Sequence, residues 1–427
     1  MIQTDYLKIK TDNICVPVMS ESLSALISER IDAERYSSCD FIEIRIDYIK
    51  ENIVDETKAV LEYLRGVMPE KMYIVTFRTY LEGGTGRFSY DTDEKDFVSK
   101  YEKLLEDIVE NVSCQYIDVE INRGRDILDN IGRKAHKKGI AVIGSYHNFD
   151  ETPSAEVMTD IMSKINGSEA DVIKMAVMPE NNNDVHRLMK MTKQAVCLFD
   201  KPVITMSMGQ LGVVSRIYGF LYGSKLTFGA VGKTSAPGQI DAGVLRKYMD
   251  KAMDMKLALI GFMGSGKSAV SRSISDVLSE PVVDTDDAIV EKEGRSITQI
   301  FAESGEEYFR EIETKVLKET IEDERPLVIS CGGGIIKNSA NRDILKEYAV
   351  TCMLEATPET ILSRVKNDTN RPLLKDRKTV EDISAMIEER RPLYNMTLDF
   401  SVNVDKKSIS DITMEILDKM VQIEKKS

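Results

Sequence analysis

Short apolar and β-branched runs alternate with longer helical or polar stretches over about the first 250 residues of the chain. Each run has the length and composition of a buried strand. Eight strands that alternate with helices over this length predict an α/β fold, a (β/α)8 barrel. The predicted strands are Ile14–Met19, Phe41–Asp47, Met72–Arg78, Tyr116–Ile121, Ala141–His147, Asp171–Val177, Val203–Met208 and Leu226–Val231. The predicted helices are Ser20–Tyr36, Glu56–Val67, Thr92–Glu110 and Ser154–Asn166.

A glycine-rich loop follows the apolar run Leu257–Ile260 and precedes the helix-like stretch Ala269–Ile274. The loop, Gly261-Phe-Met-Gly-Ser-Gly-Lys-Ser268, has the spacing G-x-x-x-x-G-K-[ST] of a phosphate-binding loop. Such a loop usually follows the first strand of its domain, so the sequence predicts two domains, 1–254 and 255–427. The helix-like stretch Asp241–Lys256 joins them closely rather than by a flexible tether.

The acidic composition limits the classes of partner. The chain of 427 residues has a net charge of −14 and a pI near 5.0, which argues against nucleic acid or an anionic membrane. Any anionic substrate must therefore be held by local Arg or Lys clusters. Six scattered cysteines without a C-x-x-C spacing fit a reducing compartment. Because the sequence has no signal-peptide pattern and no apolar run of about 20 residues, we expect a cytoplasmic protein.

Charged residues occupy one face of the second predicted strand. Side chains alternate across a strand, so Glu43, Arg45 and Asp47 share a face while isoleucines occupy the other. In a barrel these charges would point inward at the C-terminal mouth, where barrel enzymes have their active sites. A structural layer of ion pairs is the alternative interpretation.

Polar residues recur at the ends of other predicted strands. Arg78 ends the third strand, Glu82 follows it, and His147 ends the fifth. Arg216 follows the seventh strand, and the segment Ser235-Ala-Pro-Gly-Gln239 follows the eighth. Because these ends meet at one rim of a barrel, the pattern favours a functional site over a structural role.

Lys174 lies inside the sixth predicted strand among apolar neighbours. An unpaired buried ammonium is costly, so we expect a neutral amine there, which can attack a ketone and form a Schiff base. The alternatives are that Lys174 extends to the strand end or forms an ion pair with Glu43 or Glu120. His147 is the candidate acid/base group, since an unperturbed imidazole titrates near neutrality. His136 and His186 have the sequence context of surface helix positions.

Several segments resemble type I 3-dehydroquinate dehydratase, and the resemblance covers essentially the whole first domain. The family eliminates water from 3-dehydroquinate through an imine and gives 3-dehydroshikimate, with no cofactor. The matching segments are EIRID (43–47), TFRTYLEGG (76–84), SYHNF (145–149), IKMAVMP (173–179), ITMSMGQLGVVSR (204–216) and TFGAVGKTSAPGQI (227–240).

The resemblance implies a role for each matching residue. Lys174 would form the Schiff base, His147 would remove the proton and assist loss of the hydroxyl, and Glu82 would orient His147. The residues implied in substrate binding are Glu43, Arg45 and Arg78 for hydroxyls, and Arg216, Ser235 and Gln239 for the carboxylate. One departure is Pro17, where some members carry a serine that contacts substrate.

The phosphate loop predicts a nucleotide site in the second domain. Backbone N–H groups at Gly264, Ser265, Gly266 and Ala269 would cradle the phosphates of ATP. Lys267 would reach the β- and γ-oxygens, and Ser268 would bind Mg²⁺. The segment Pro281–Asp286 reads as a strand ending in two aspartates on one face, so that Asp284 could assist the metal and Asp286 could accept a proton from an alcohol.

Further segments make residues 256–427 similar to shikimate kinase, a P-loop kinase with a parallel sheet. They are FREIE (309–313), CGGG (331–334), NRPLL (370–374) and RRPLY (390–394). The resemblance implies that shikimate contacts Asp286, Arg310, Gly333 and Arg390, and that Arg364 and Arg371 contact ATP. The polar segment Leu362–Lys378 would form a lid, or else an ordinary solvated loop. Cys331 is interpreted as a small core residue and not as a nucleophile.

Three alternatives stay open. The first domain could be another lysine-imine barrel, such as a class I aldolase, and the second a gluconate-type or nucleotide kinase. One half could instead be a non-catalytic module. A homodimer, if one forms, is expected through the barrel domain. The two implied steps are separated by a reduction, and no G-x-G-x-x-G fingerprint opens a helix after a strand in this sequence.

Overall fold

The computed structural model describes residues 12–88, 94–253, 255–278, 280–323, 325, 327–365 and 379–423. The chain divides into two compact units, Met1–Met249 and Asp250–Ser427. The domain boundary at 254/255 stays a prediction.

The first unit is a nearly closed barrel of parallel strands. Each strand pairs with its sequence neighbour from β1 to β7, and β8 pairs with β1. Lys225, just before β8, donates its backbone N–H to the carbonyl oxygen of Val203 in β7 (2.9 Å), which brings the two edges together. The strands in the described residues are β1 (Asn13–Val18), β2 (Phe41–Arg45), β3 (Met72–Thr76), β4 (Tyr116–Glu120), β5 (Ala141–Asn148), β6 (Val172–Val177), β7 (Val203–Ser207) and β8 (Leu226–Phe228).

Helices follow the strands and confirm the predicted (β/α)8 fold. They cover the outer faces, so that even a strand such as β2 is buried at every position. The helices are α1 (Leu23–Ser28), α2 (Ile53–Val67), α3 (Glu94–Asn111), α4 (Arg125–Lys137), α5 (Ala155–Asn166), α6 (Asn182–Leu198), α7 (Val213–Tyr218) and α8 (Ala242–Met253).

The barrel interior changes from apolar to polar along the strands. Phe41, Ile74 and Tyr116 belong to the apolar core cluster. Two residues further along β2 and β4, Glu43 and Asp118 face the same way because the strand period is two. The floor of the barrel is therefore closed by apolar packing, while its C-terminal half contains buried charge.

Several predicted elements of this unit are longer than the observed ones. The strand predicted to reach Asp47 ends at Arg45, and a 3₁₀ turn, Ile46–Tyr48, follows. The helix predicted over 20–36 is wrong. It is broken into α1 and a 3₁₀ turn, Ala33–Tyr36, because Arg30 adopts a left-handed backbone conformation with φ of 51°.

The second unit contains a five-stranded parallel sheet of order β10-β11-β9-β12-β13. The phosphate loop follows its central strand, β9, and leads directly into α9. Gly305 adopts φ of 85° and interrupts α11. The strands are β9 (Lys256–Ile260), β10 (Val282–Asp284), β11 (Leu327–Ser330), β12 (Val350–Glu355) and β13 (Phe400–Asn403). The helices are α9 (Lys267–Leu278), α10 (Thr285–Glu293), α11 (Ile297–Ile321), α12 (Ser339–Tyr348), α13 (Pro358–Val365), α14 (Val380–Thr397) and α15 (Ile409–Gln422).

Among the residues described, no helix is both long enough and apolar enough to cross a membrane.

Candidate active sites

A cavity of about 40 Å³ opens at the carboxyl ends of the barrel strands. Its lining brings together the residues that sequence analysis collected from six different strands or the loops after them. Phe149, Met206, Met208 and Phe228 add an apolar wall. The predicted residues in the lining are Glu43, Arg45, Arg78, Glu82, His147, Lys174, Arg216, Ser235 and Gln239.

Lys174 is buried and paired, which corrects the expectation of an unpaired amine. Its Nζ donates to Oδ2 of Asp118 at 2.9 Å and to Oε1 of Glu43 at 3.4 Å. Nζ also lies 4.7 Å from the centroid of the Phe228 ring. Of the two partners predicted from the sequence, Glu43 contacts Nζ of Lys174. Glu120 instead accepts hydrogen bonds from the backbone N–H and the hydroxyl of Thr79.

Asp118 is the centre of a buried ion cluster. It accepts hydrogen bonds from Nη2 of Arg78 (2.8 Å) and from the Ser145 hydroxyl (2.5 Å) as well as from Lys174. Burial disfavours its ionised form, but Arg78 and Lys174 outweigh burial and hold the pKa of Asp118 well below its usual value. Arg78 also donates to Glu120 at 3.0 Å, so the guanidinium bridges two carboxylates.

His147 and Glu82 form a hydrogen-bonded pair. Nδ1 of His147 lies 2.9 Å from Oε2 of Glu82, and the His147 backbone N–H donates to the same oxygen at 3.0 Å. Burial, followed by Arg78 and Lys174, lowers the pKa of His147 well below its usual value, which corrects the expectation of an unperturbed imidazole. Burial and the nearby Glu120 carboxylate raise the pKa of Glu82 to about 8.

Arg216 is a buried guanidinium without a carboxylate partner in the described part of the chain. It is 1% exposed and donates to the carbonyl oxygens of Phe228 (3.3 Å) and Pro237 (3.1 Å), while its Nε has no hydrogen-bond partner. Burial lowers its pKa to about 10. Beside it, Nε2 of Gln239 donates to the Ser235 hydroxyl at 3.1 Å. An anionic ligand would supply the missing countercharge.

Arg45, in contrast, is fully paired. Its Nε and Nη2 both lie 2.8 Å from the carboxylate oxygens of Asp47, a two-bond fork. Asp47 also accepts hydrogen bonds from the backbone and side chain of Thr85. Asp47 therefore anchors the loop after β3 and holds Arg45 at the cavity.

A second cavity, of about 540 Å³, lies beside the phosphate loop. Gly264 and Gly266 have φ of 79° and 101°, conformations that favour glycine, and a Cβ on Gly264 would lie 2.7 Å from Cγ1 of Val365. The loop ends at the N-terminus of α9, and a helix N-terminus favours an anion. Two of the predicted N–H groups are already bonded, because Ser265 donates to the Phe262 carbonyl oxygen and Ala269 to that of Gly266, both at 3.1 Å. The predicted residues that line this cavity are Gly264, Gly266, Lys267, Ser268, Ala269, Asp284, Asp286, Arg310, Gly333 and Arg390.

Asp284 holds two hydroxyls at the base of this cavity. Its Oδ2 accepts from Ser268 at 3.0 Å and from Ser330 at 2.8 Å. Asp286 does not lie on the strand as predicted, because β10 ends at Asp284 and Asp284 caps α10 through the Asp286 backbone N–H at 3.1 Å. Asp286 therefore reaches the cavity from the first turn of α10.

Two arginines approach the cavity from helices α11 and α14. Arg310 donates to Glu313 at 2.8 Å and to Glu306 at 3.1 Å. Arg390 donates to the carbonyl oxygen of Gly333 at 3.3 Å. Burial raises the pKa of Glu313 above its usual value although Arg310 opposes the shift.

The remaining predicted residues of this unit lie elsewhere. The Ser265 side chain is buried behind the loop, and Arg364 donates to the carbonyl oxygens of Gly264 (3.2 Å) and Ser265 (3.1 Å) from outside the cavity lining. Cys331, in contrast, belongs to the apolar core and also borders the cavity, and burial raises the pKa of its thiol. Arg371 and most of the predicted lid lie outside the described residues.

Residues 14–254 match the family model of type I 3-dehydroquinase. The chain belongs to the type I 3-dehydroquinase family. Residues 263–421 match the shikimate kinase model, so the chain also contains a shikimate kinase domain. Both resemblances noted in the sequence are confirmed.

Named relatives match the dehydroquinase domain. The 3-dehydroquinate dehydratase of Clostridioides difficile (strain 630) is 38% identical over 241 residues, 56% of this chain and 90% of the relative. A crystal structure of 3-dehydroquinate dehydratase from Geobacillus kaustophilus HTA426 matches with a TM-score of 0.51 and 29% identity, over 56% of this chain and 90% of that one. The type I enzyme from Clostridium difficile, with covalently modified comenic acid, matches with a TM-score of 0.50 and 35% identity, over 56% and 91%.

Three features of the dehydroquinase ion cluster were not predicted from the sequence: Asp118, Glu120 as the partner of Arg78, and Ser145. The signal was present, because Tyr116-Ile-Asp-Val-Glu120 alternates apolar and acidic residues as the second strand does. Pro17 packs inside β1, in register with Glu43, and lies outside the lining of the dehydroquinase cavity.

The different pairing of Arg216 and Arg45 predicts opposite effects on stability. Without substrate, Arg216→Met should leave the free energy of unfolding unchanged or raise it by about 1 kcal/mol, because an uncompensated buried charge is removed. Arg45→Met should lower it by about 3 kcal/mol, because Asp47 is left buried without its cation. Thermal unfolding followed by circular dichroism measures both; an equal loss in the two variants would show that Arg216 is compensated within the fold.

Proposed function

We propose that the chain is a bifunctional enzyme that dehydrates 3-dehydroquinate to 3-dehydroshikimate and phosphorylates shikimate with ATP. The observation that carries the first activity is the buried Lys174 at the mouth of a type I dehydroquinase barrel, with the His147–Glu82 pair in the same cavity. The phosphate loop within the shikimate kinase match carries the second. We assign the dehydratase to residues 1–254 and the kinase to residues 255–427.

In the proposed dehydratase, Nζ of Lys174 attacks the substrate ketone and forms an imine with loss of water. Nε2 of His147 then removes the adjacent proton, and the electron pair of the C–H bond moves toward the imine nitrogen. Glu82 accepts the hydrogen bond from Nδ1 and so keeps Nε2 available as the base. The electron pair then returns from nitrogen and breaks the C–O bond, while the same histidine gives its proton to the leaving hydroxyl, which departs as water. A second water hydrolyses the resulting imine and releases 3-dehydroshikimate and Lys174.

Substrate binding in this cavity is proposed to use the remaining polar residues. Arg216 pairs with the substrate carboxylate, which compensates the buried guanidinium, and Ser235 and Gln239 help to bind it. Glu43, Arg45 and Arg78 bind hydroxyls. The dehydratase needs no cofactor in this proposal, because the imine nitrogen supplies the electron sink.

In the proposed kinase, the loop residues 264–269 hold the phosphates of ATP, and Lys267 neutralises their charge. Ser268 and Asp284 fit Mg²⁺, since hydroxyl and carboxylate oxygens are its usual protein ligands beside nucleotide phosphates. A Mg²⁺ ion held by these residues would offset negative charge on the phosphates of ATP. The Ser265 hydroxyl, buried without a hydrogen-bond partner, is a further polar group at the loop.

The acceptor alcohol is proposed to bind between α10 and α14. Asp286 orients the hydroxyl and accepts its proton, while Arg310 and Arg390 pair with the carboxylate and Gly333 lets the ring approach the backbone. Two arginines suit a carboxylate better than a nucleoside acceptor. Arg364 and Arg371 are proposed to contact ATP, with the segment 362–378 closing over the site to exclude water.

We further propose a reducing, cytoplasmic setting, which the six unpaired cysteines support. The net charge of −14 supports small-molecule partners over nucleic acid or anionic membrane. A homodimer, if one forms, is assigned to the barrel. Because an enone is produced by one step and an alcohol consumed by the other, a separate carbonyl reductase must act between them.

Two substitutions should separate the activities. In the full chain, Lys174→Ala should abolish dehydration of 3-dehydroquinate, by at least about a thousandfold, and spare phosphorylation of shikimate. Lys267→Ala should do the reverse, because it removes the cation on the transferring phosphates. The assays are absorbance of the conjugated product and coupled ADP release. Retention of dehydration by Lys174→Ala would contradict an imine at this residue. Retention of both activities by Lys267→Ala would contradict the kinase assignment.

The His147–Glu82 pair predicts the pH dependence of dehydration. The pKa of Glu82 is raised to about 8 and that of His147 is lowered. Below about pH 8, Glu82 is therefore protonated and donates to Nδ1, and the neutral imidazole carries its proton on Nε2. Above about pH 8, Glu82 accepts from Nδ1 and Nε2 is available as the base. kcat/KM should therefore rise with pH through about 8. Glu82→Gln should move this limb down by roughly one pH unit or more, because the amide carries no titrating proton. An unchanged limb in Glu82→Gln would assign the titration to another group.

A further inference from the structure

Two carboxylates contact the Lys174 nitrogen, and they differ in their access to the cavity. Glu43 lies 3.4 Å from Nζ and lines the cavity, where a substrate can engage it. Oδ2 of Asp118 lies closer to Nζ, at 2.9 Å. Asp118 is 1% exposed and is not among the residues that line the cavity. A substrate bound in the cavity can therefore displace Glu43 from Nζ but leaves Asp118 in place.

Asp118 is held in one position and in its charged form. Nη2 of Arg78 and the Ser145 hydroxyl donate to Oδ1, which leaves Oδ2 for Lys174. The cations hold the pKa of Asp118 low in spite of burial, so the carboxylate does not take up a proton from Lys174 at neutral pH. Asp118 therefore acts as a fixed anion beside the nitrogen and not as a base.

The charge balance of imine formation gives this anion a role. Overall, an ammonium and a ketone become a protonated imine and one water. Two of the three N–H hydrogens leave with the carbonyl oxygen. The C=O double bond is broken, and a C=N double bond is formed. One N–H and one positive charge remain on nitrogen. That single N–H needs an acceptor, because the site is buried.

Building on the proposed dehydratase, we propose that Asp118 is a catalytic residue that accepts the N–H of the Lys174 imine and keeps its nitrogen protonated. The protonated imine withdraws the electron pair when the adjacent proton leaves, and the neutral imine does so poorly. The N–H to Oδ2 hydrogen bond also fixes the plane of the C=N bond. The scissile C–H bond must then stand out of that plane, toward His147.

The other titratable groups around Lys174 do not replace this anion. Glu43 on β2 is the carboxylate that substrate engages. Cys15 on β1 is a neutral thiol, since burial raises its pKa. Arg78 is a cation, and burial holds His147 on β5 neutral. Asp118 is therefore the negative charge that stays with the nitrogen from ammonium to imine.

The test is the pH dependence of imine trapping in the full chain. The enzyme is equilibrated with 3-dehydroquinate and its product at about pH 6 to about pH 9, pulsed with borohydride, and the adduct at Lys174 is quantified by mass spectrometry. Asp118→Asn removes the anion and keeps the shape. Glu120→Gln is the matched control, because it removes a buried carboxylate of the same cluster that contacts Arg78 but not Lys174.

We expect the trapped fraction of Asp118→Asn, relative to wild type at each pH, to fall by about tenfold per pH unit above a midpoint in the neutral range. The ratio for Glu120→Gln should stay constant. A constant ratio for Asp118→Asn overturns the proposal, and so does an equal fall in both variants. Absence of any Lys174 adduct in the wild type would instead overturn the proposed dehydratase.

A second measurement covers the case that Asp118→Asn folds poorly. Circular dichroism first selects conditions in which the barrel is folded, and acetic anhydride then labels lysines without substrate. In Asp118→Asn, Lys174 should be acetylated at least about tenfold faster than in Glu120→Gln near neutral pH, because Nζ then lacks the anionic hydrogen-bond acceptor that lies 2.9 Å away in the wild type. Equal labelling in the two folded variants contradicts the proposal.

Discussion

The barrel depends on one constraint: the nitrogen of a lysine buried at its mouth needs hydrogen-bond partners within the fold. Lys174 satisfies it through Asp118, and Asp118 through Arg78 and Ser145. Removal of a single member would leave an uncompensated buried charge, at a cost of about 3–5 kcal/mol. The ion cluster lies next to apolar core residues that fill the N-terminal half of the barrel. The strand register determines where the inward-facing side chains change from apolar to charged.

In the proposed function, the two domains would hold anionic substrates by different means in a chain whose net charge is −14. Among the described residues no carboxylate pairs with the buried Arg216, so none of them weakens its attraction for a substrate carboxylate. Arg310 donates to Glu313, which fixes the direction of the guanidinium but also offsets part of its positive charge. At the phosphate loop, backbone N–H groups at the start of α9 supply positive potential without titratable groups.

Much of this architecture was predictable from the sequence because strand period and motif spacing are local. Alternation placed Glu43 at the barrel mouth, and glycine spacing located the phosphate loop. The partner of Lys174 was not predictable, since Asp118 comes from a strand 56 residues away and its contact depends on register. The break at Arg30 and the early end of β2 were also missed, because tertiary packing and not propensity determines such local turns.

Imine formation at Lys174 can be tested by mapping of the covalent adduct. The wild-type chain is incubated with 3-dehydroquinate and borohydride, digested, and each lysine peptide is measured by mass spectrometry. The account predicts one reduced adduct per chain, on the peptide that contains Lys174, with dehydration lost in proportion and shikimate phosphorylation retained. Continued dehydration by fully treated protein, or an adduct on a different lysine, would contradict it.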